Sequence, residues 1–231
     1  TDMGAYTQLT WTGEPNFVGF VRKFNKNIKV VDLTGQHHLG HAAGSFYNSG
    51  FDEALVVVID GCGSMKGARA GTTHYNGYET ETVYKISYPG ECECVFQSIF
   101  DVQNQPHIDT HDLKAGSDVT ITKTYEAVTN YLGWHFIEAG KTMGLAPYGK
   151  EDPDMPKLFD ETTGRAKKDI VWPAYPGGAI IRTDTDQGKY FADGNPGSTD
   201  WHNDPSKVTE IAKNLAWAVQ HETEERVGDL I

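Results

Sequence analysis

The 231 residues carry a formal charge of −12 and a 38% share of hydrophobic residues, enough for one ample core or two small ones. Lys and Arg are scattered along an acidic chain, which excludes a phosphate-neutralising nucleic-acid surface as the main purpose. The cysteines, Cys62, Cys92 and Cys94, form no disulfide framework and fit a reducing compartment, and Cys92 and Cys94 have no second pair to complete a zinc site.

No run approaches the roughly 18 apolar residues of a membrane helix, and residues 1–6 lack the charged and apolar regions of a signal peptide, so the chain reads as cytoplasmic. It begins without Met and stops at Ile231 after a helical pattern, and is expected to be a piece of something longer. In chain order, residues 28–33 have the β-branched content of a strand leading to the histidines. Residues 38–46 are rich in small side chains suited to a closely packed helix, which Asn48-Ser49-Gly50 stops. The apolar run at 54–59 reads as a strand buried on both faces, as in the centre of an α/β sheet, and it ends at Asp60-Gly61-Cys62-Gly63.

Asn76-Gly77 then signals a hairpin, and residues 82–88 alternate as a strand. Residues 103–120 are polar and aperiodic, a long loop or insertion. His107 and His111 repeat the i, i+4 spacing there, but without a helical pattern they read as solvated. Helices follow at 121–132 and 135–145, with Pro147-Tyr148-Gly149 ending the block. Residues 151–204 are rich in Pro, Gly and Asp and are expected to wander over the surface, except for an apolar island at 178–181. Asp204-Pro205 opens the last helix, amphipathic through Val208, Ile211, Leu215 and Val219. There is no internal repeat. Trp134, Phe136 and the tyrosines are expected to pack the core or line a cleft.

Three elements could carry chemistry. Imidazoles at i and i+4 of a helix share one face at a separation that suits a single metal ion, and His37 and His41 meet this; His38 points elsewhere. Such pairs also arise on ordinary surface helices. No Glu lies between them in the manner of a His-Glu-x-x-His protease. Asp60, at the carboxyl end of an apolar strand, stands where α/β folds hold ligands and would complete a set of two nitrogens and one oxygen with open positions, the pattern of a catalytic site. Gly61 and Gly63 would let backbone N–H groups approach phosphate oxygens. A turn aspartate that caps its own loop is the alternative. Lys141, among Gly140 and Gly144, resembles a phosphate-contacting loop, although the spacing is not that of a P-loop and a solvated Lys fits equally.

In order, these elements carry a resemblance. His37-His38-Leu39-Gly40-His41-Ala42-Ala43-Gly44-Ser45-Phe46-Tyr47-Asn48-Ser49-Gly50, continuing through Val56-Val57-Val58-Ile59-Asp60-Gly61, closely resembles the central signature of the O-carbamoyltransferases that tailor antibiotics and nodulation factors. Tyr131-Leu132-Gly133, and then Glu138-Ala139-Gly140-Lys141 through Gly149, resemble the same family's second signature. The resemblance covers roughly residues 30–231.

It implies an α/β amino-terminal domain of the actin-like ATPase (ribonuclease H-like) type, with a mixed sheet and flanking helices, related to the enzymes that make threonylcarbamoyl-adenosine. Residues 1–231 would form a single, partial domain of this kind, with an inserted loop at about 103–120. It also implies a divalent metal, Fe2+, held by His37, His41 and Asp60, with Gly61, Gly63, Lys141 and Gly144 near the phosphate of ATP or carbamoyl-adenylate. Carbamoyl phosphate and ATP would give carbamoyl-adenylate, and a hydroxyl of a small-molecule acceptor would then attack it. Where the family carries an acidic residue, Ser64 stands here. Counterparts of the family's opening His-Asp pair, its later Gly-Gly asparagine signature, a further aspartate ligand and the adenylate-forming domain are not found in these residues, so the remainder of the enzyme would be a partner. A fragment that keeps the fold and binds metal or nucleotide without turnover is the competing reading. A free-standing metallohydrolase would need a general base beside the metal, and none is identified.

Overall fold

A computed structural model describes residues 22–27, 33, 35–61, 63–66, 77–101, 121–174, 178–183, 190–191, 204 and 207–231. The strand expected at 28–33 lies almost wholly outside them, and Cys62, Asn76, residues 103–120 with His107 and His111, and Pro205 lie outside them entirely. Among the described residues no helix is long and apolar enough to cross a membrane.

The helix expected at the histidines is α1 (His37–Ser49), ended by Gly50 at φ 78°, a left-handed position that glycine adopts without strain. It buries Ala42 and Phe46 against β1 (Glu53–Ile59) and β3 (Gly77–Ser87), where Val58, Tyr84 and Ile86 complete a small apolar cluster. Burying a side chain such as Phe46 stabilises by roughly 2–3 kcal/mol, which holds the helix on this face. Val56 and Val58 face α1 and alternate with Leu55, which is 63% exposed.

The sheet corrects the expectation of a central strand buried on both faces. Among the described residues β1 pairs only with β3, antiparallel, from Glu53↔Ser87 to Ile59↔Glu81, and is an edge strand. A run of β-branched residues looks the same in sequence whether or not its second face is covered. The turn expected at Asn76-Gly77 falls partly outside the described residues: Gly77 is the first residue of β3, and β2 (Met65–Lys66) pairs with it through Met65↔Tyr78 and Lys66↔Gly77. The tight turn lies at Tyr88-Pro89-Gly90, joining β3 to β4 (Glu91–Asp101). β4 has no counterpart among the elements expected from the sequence. Every described strand pairing is antiparallel.

A second and larger apolar cluster gathers α2 (Ile121–Tyr131), α3 (Ala139–Leu145) and α4 (Glu210–Asp229) with the hairpin of β5 (Val171–Ala174) and β6 (Gly178–Ile181). The stretch 151–204 does more than wander: Leu158, Phe159, Ile170, Val171, Tyr190 and Phe191 are at most 3% exposed in this core. α4 starts at Thr209, whose hydroxyl accepts from the Ala212 N–H at 3.1 Å, and buries Leu215 and Val219 as its spacing predicts. Trp134 packs against the large core, whereas Phe136 is 39% exposed.

Candidate metal centre

The site forms where the amino end of α1 meets the carboxyl end of β1. The β1–β3 ladder extends one residue past the strand, the Asp60 N–H donating to the Thr80 carbonyl at 2.7 Å. The Gly63 N–H then donates to the Glu79 carbonyl at 2.8 Å and the Glu79 N–H to the Ser64 carbonyl at 3.1 Å, stitching the turn along β3. Ser64 in turn caps α1 from a distance. Its Oγ accepts the His37 N–H at 3.0 Å, and its own N–H donates to the buried Glu79 carboxylate at 2.9 Å. A helix end left without a local side-chain cap is thereby satisfied.

This places three donor atoms together. His37 Nε2 lies 2.6 Å from Asp60 Oδ2, His41 Nε2 lies 3.0 Å from His37 Nε2, and His41 Nε2 lies 3.9 Å from Asp60 Oδ2. Neighbouring ligands about 2.1 Å from one ion stand roughly 3.0–3.4 Å apart, so the set needs only small adjustments to hold one. Among the described residues these three are the group able to do so. Two imidazoles and one carboxylate leave coordination positions open, and the opening faces solvent on the His41 side: the side chains are 12%, 34% and 56% exposed for His37, Asp60 and His41.

Partial burial pushes the Asp60 carboxyl up, but the hydrogen bond and charge of His37 and the Gly61 N–H outweigh it and hold the group below its ordinary value. Asp60 is therefore an anion over the working pH range, as a ligand must be. His38 is turned away, as expected: fully buried, it meets Thr82 Oγ1 through Nδ1 at 2.7 Å, and burial lowers its pKa.

The glycines of the turn have steric reasons of their own. A Cβ on Gly63 would fall 2.5 Å from His38 Nε2 and 2.9 Å from the Glu79 Cβ, and one on Gly61 would collide with the Glu126 carboxylate. Glu126 and its partner Lys123 lie 2.8 Å apart, with side chains 13% and 2% exposed, and no sequence motif marks them. An i, i+3 ion pair on a helix ordinarily reads as solvated surface, and nothing in the local pattern places this one against the Asp60–Gly61 turn.

The family model "Carbamoyltransferase N-terminus" matches residues 8–172. The chain belongs to this carbamoyltransferase family. It is 30% identical over 130 residues to an uncharacterized protein of Synechocystis sp., sll1178, a match covering 55% of this chain and 15% of that protein. It is 28% identical over 125 residues to the nodulation protein NolNO of Sinorhizobium fredii, covering 54% of this chain and 14% of that protein. The matched segment thus spans about one seventh of the length of these relatives.

In this member of the carbamoyltransferase family, the second signature lies on α3 and the turns around it. Lys141 is exposed, with Nζ 2.6 Å from Glu138 Oε1, and a Cβ on Gly140 or Gly144 would meet open space. Gly149 is different, because a Cβ there would collide with the Lys213 carbonyl of α4. That glycine serves helix docking. Cys92 and Cys94 lie on β4, where the Cys94 thiol donates to the Phe96 carbonyl at 3.5 Å.

Proposed function

We propose that this chain takes part in metal-dependent carbamoyl transfer from a carbamoyl-adenylate, made from carbamoyl phosphate and ATP, to a hydroxyl of a small-molecule acceptor. The observation that carries the reading is the convergence of His37, His41 and Asp60 in a chain of the carbamoyltransferase family. These three residues would hold a divalent ion, Fe2+ as the family resemblance implies, in a set of two imidazoles and one carboxylate that leaves positions open. Bound there, it would act as a Lewis acid on a carbonyl or phosphate oxygen.

The chain's own groups would orient the reactants. Asp60 supplies the anionic ligand, His37 is held by the capped first turn of α1, and exposed His41 stands at the solvent side, where the open positions lie. In the transfer step the acceptor oxygen bonds to the carbamoyl carbon and gives up its proton to solvent, the bond from that carbon to the phosphate oxygen breaks, and AMP leaves. As the family resemblance implies, Gly61, Gly63, Lys141 and Gly144 would lie near the phosphate, with the Lys141 ammonium as the group to meet it, because the Gly61 and Gly63 N–H groups already serve the Asp60 carboxylate and the Glu79 carbonyl. The outer edge of β1 and the exposed Leu55 beside it suit a sheet that further strands extend, in keeping with an actin-like domain whose complete sheet is mixed.

The test is the metal content and AMP affinity of the purified chain loaded with Fe2+ under exclusion of oxygen, beside His37→Ala and His41→Ala. Both variants are expected to lose the metal, and unchanged metal content would overturn the assignment. Because the match covers 14–15% of the relatives' length, a second reading is binding without turnover by these residues alone. Turnover of carbamoyl phosphate with ATP by the purified chain would overturn that second reading, whereas retained binding without turnover would support it.

A further inference from the structure

We propose that the first turns of α2 are a positioning clamp for Asp60, acting through Thr122, Lys123 and Glu126; the inference rests on the metal reading above. Asp60 follows β1, where the strand's own side-chain packing no longer fixes the backbone, and a ligand there needs its peptide held from both sides. On one side its N–H is taken by Thr80 of β3. On the other the Thr122 hydroxyl donates to the Asp60 carbonyl at 3.0 Å. One turn further along α2, the Glu126 carboxylate lies where a side chain of residue 61 would begin and so fills the space beside the Gly61 Cα. Lys123, almost wholly buried, holds that carboxylate at 2.8 Å and balances its charge beside the anionic Asp60. The amino end of α2 is itself anchored to the sheet, the Ile121 N–H donating to the buried Glu81 carboxylate at 3.0 Å. The carboxylate of Asp60 is thereby aimed at His37 and His41 by a helix from the other apolar core.

Groups that orient a metal ligand without touching the ion commonly change affinity about 10–100-fold when lost. The experiment titrates cobalt(II) into the full chain and follows its visible absorption, comparing wild type, Thr122→Val, Thr122→Ser and His41→Ala. Thr122→Val keeps the shape and removes the donor; Thr122→Ser keeps the donor. The clamp predicts that Thr122→Val weakens cobalt binding at least about tenfold and shifts the ligand-field bands, that Thr122→Ser restores both, and that melting temperatures of the two variants stay close. Wild-type affinity and bands in Thr122→Val, with binding lost in His41→Ala, would overturn the clamp and leave the metal centre standing. No cobalt binding by wild type, or binding that survives His41→Ala, would overturn both.

Discussion

Glu222 shows how a buried acid is put to structural use away from the candidate centre. It is 5% exposed and its Oε2 accepts the N–H groups of Leu158 at 2.9 Å and Phe159 at 3.2 Å, tying α4 to the chain that packs against it. Burial pushes its carboxyl above the usual range, against the opposing pull of those N–H groups and Lys157. A raised folded-state value means that the favourable contribution is complete at low pH and is lost as pH rises through that value. Glu222→Gln keeps an acceptor and removes the charge, so thermal melts should show it at least as stable as wild type at pH 7.5, with the gap closing toward pH 4. Glu222→Ala strands two buried N–H groups and should cost about 2–4 kcal/mol. At the same scale, His37, His41 and Asp60 were legible because ligand spacing on a helix and a carboxylate ending an apolar run are local patterns. Ser64, Glu79 and Glu126 were not, because what each does depends on a partner that only the fold brings near.

Elements whose signal lies in their own sequence were read closely: α1 with its Gly50 stop, α2, and the buried stripe of α4. Strand partnership was not, since an apolar run states that a strand exists and leaves open what covers it. The docking of α4 against Gly149 was equally hidden, though it gives that glycine a role. The Lys150 N–H reaches Asn214 Oδ1 at 3.1 Å while the bare Gly149 Cα admits the Lys213 carbonyl. Gly149→Ala should therefore force the helix outward and destabilise by about 1–3 kcal/mol, read from denaturant midpoints. Among the described residues β1 has β3 as its one strand neighbour, and that edge, with Leu55 63% exposed, predicts concentration-dependent association of the chain. Leu55→Lys should reduce it in light scattering without lowering the melting temperature.

Across the whole molecule, one apolar cluster lies between α1 and the sheet and a larger one between α2, α4 and the β5–β6 hairpin. α2 links the two halves: its amino end is hydrogen-bonded to Glu81 of the sheet and to the Asp60 carbonyl, and Val128 and Tyr131 further along pack in the larger cluster. The candidate centre therefore lies at the seam, and metal binding is expected to stabilise the fold. At a free metal concentration one hundred times Kd the gain would be about 2.7 kcal/mol. That coupling makes the centre testable without an acceptor substrate. The most direct measurement is iron stoichiometry by elemental analysis of the anaerobically loaded and desalted chain, beside His37→Ala, His41→Ala and Asp60→Asn. The prediction is one ion per chain in wild type and loss in all three variants. An iron-free wild type, or variants that keep the ion, would contradict it.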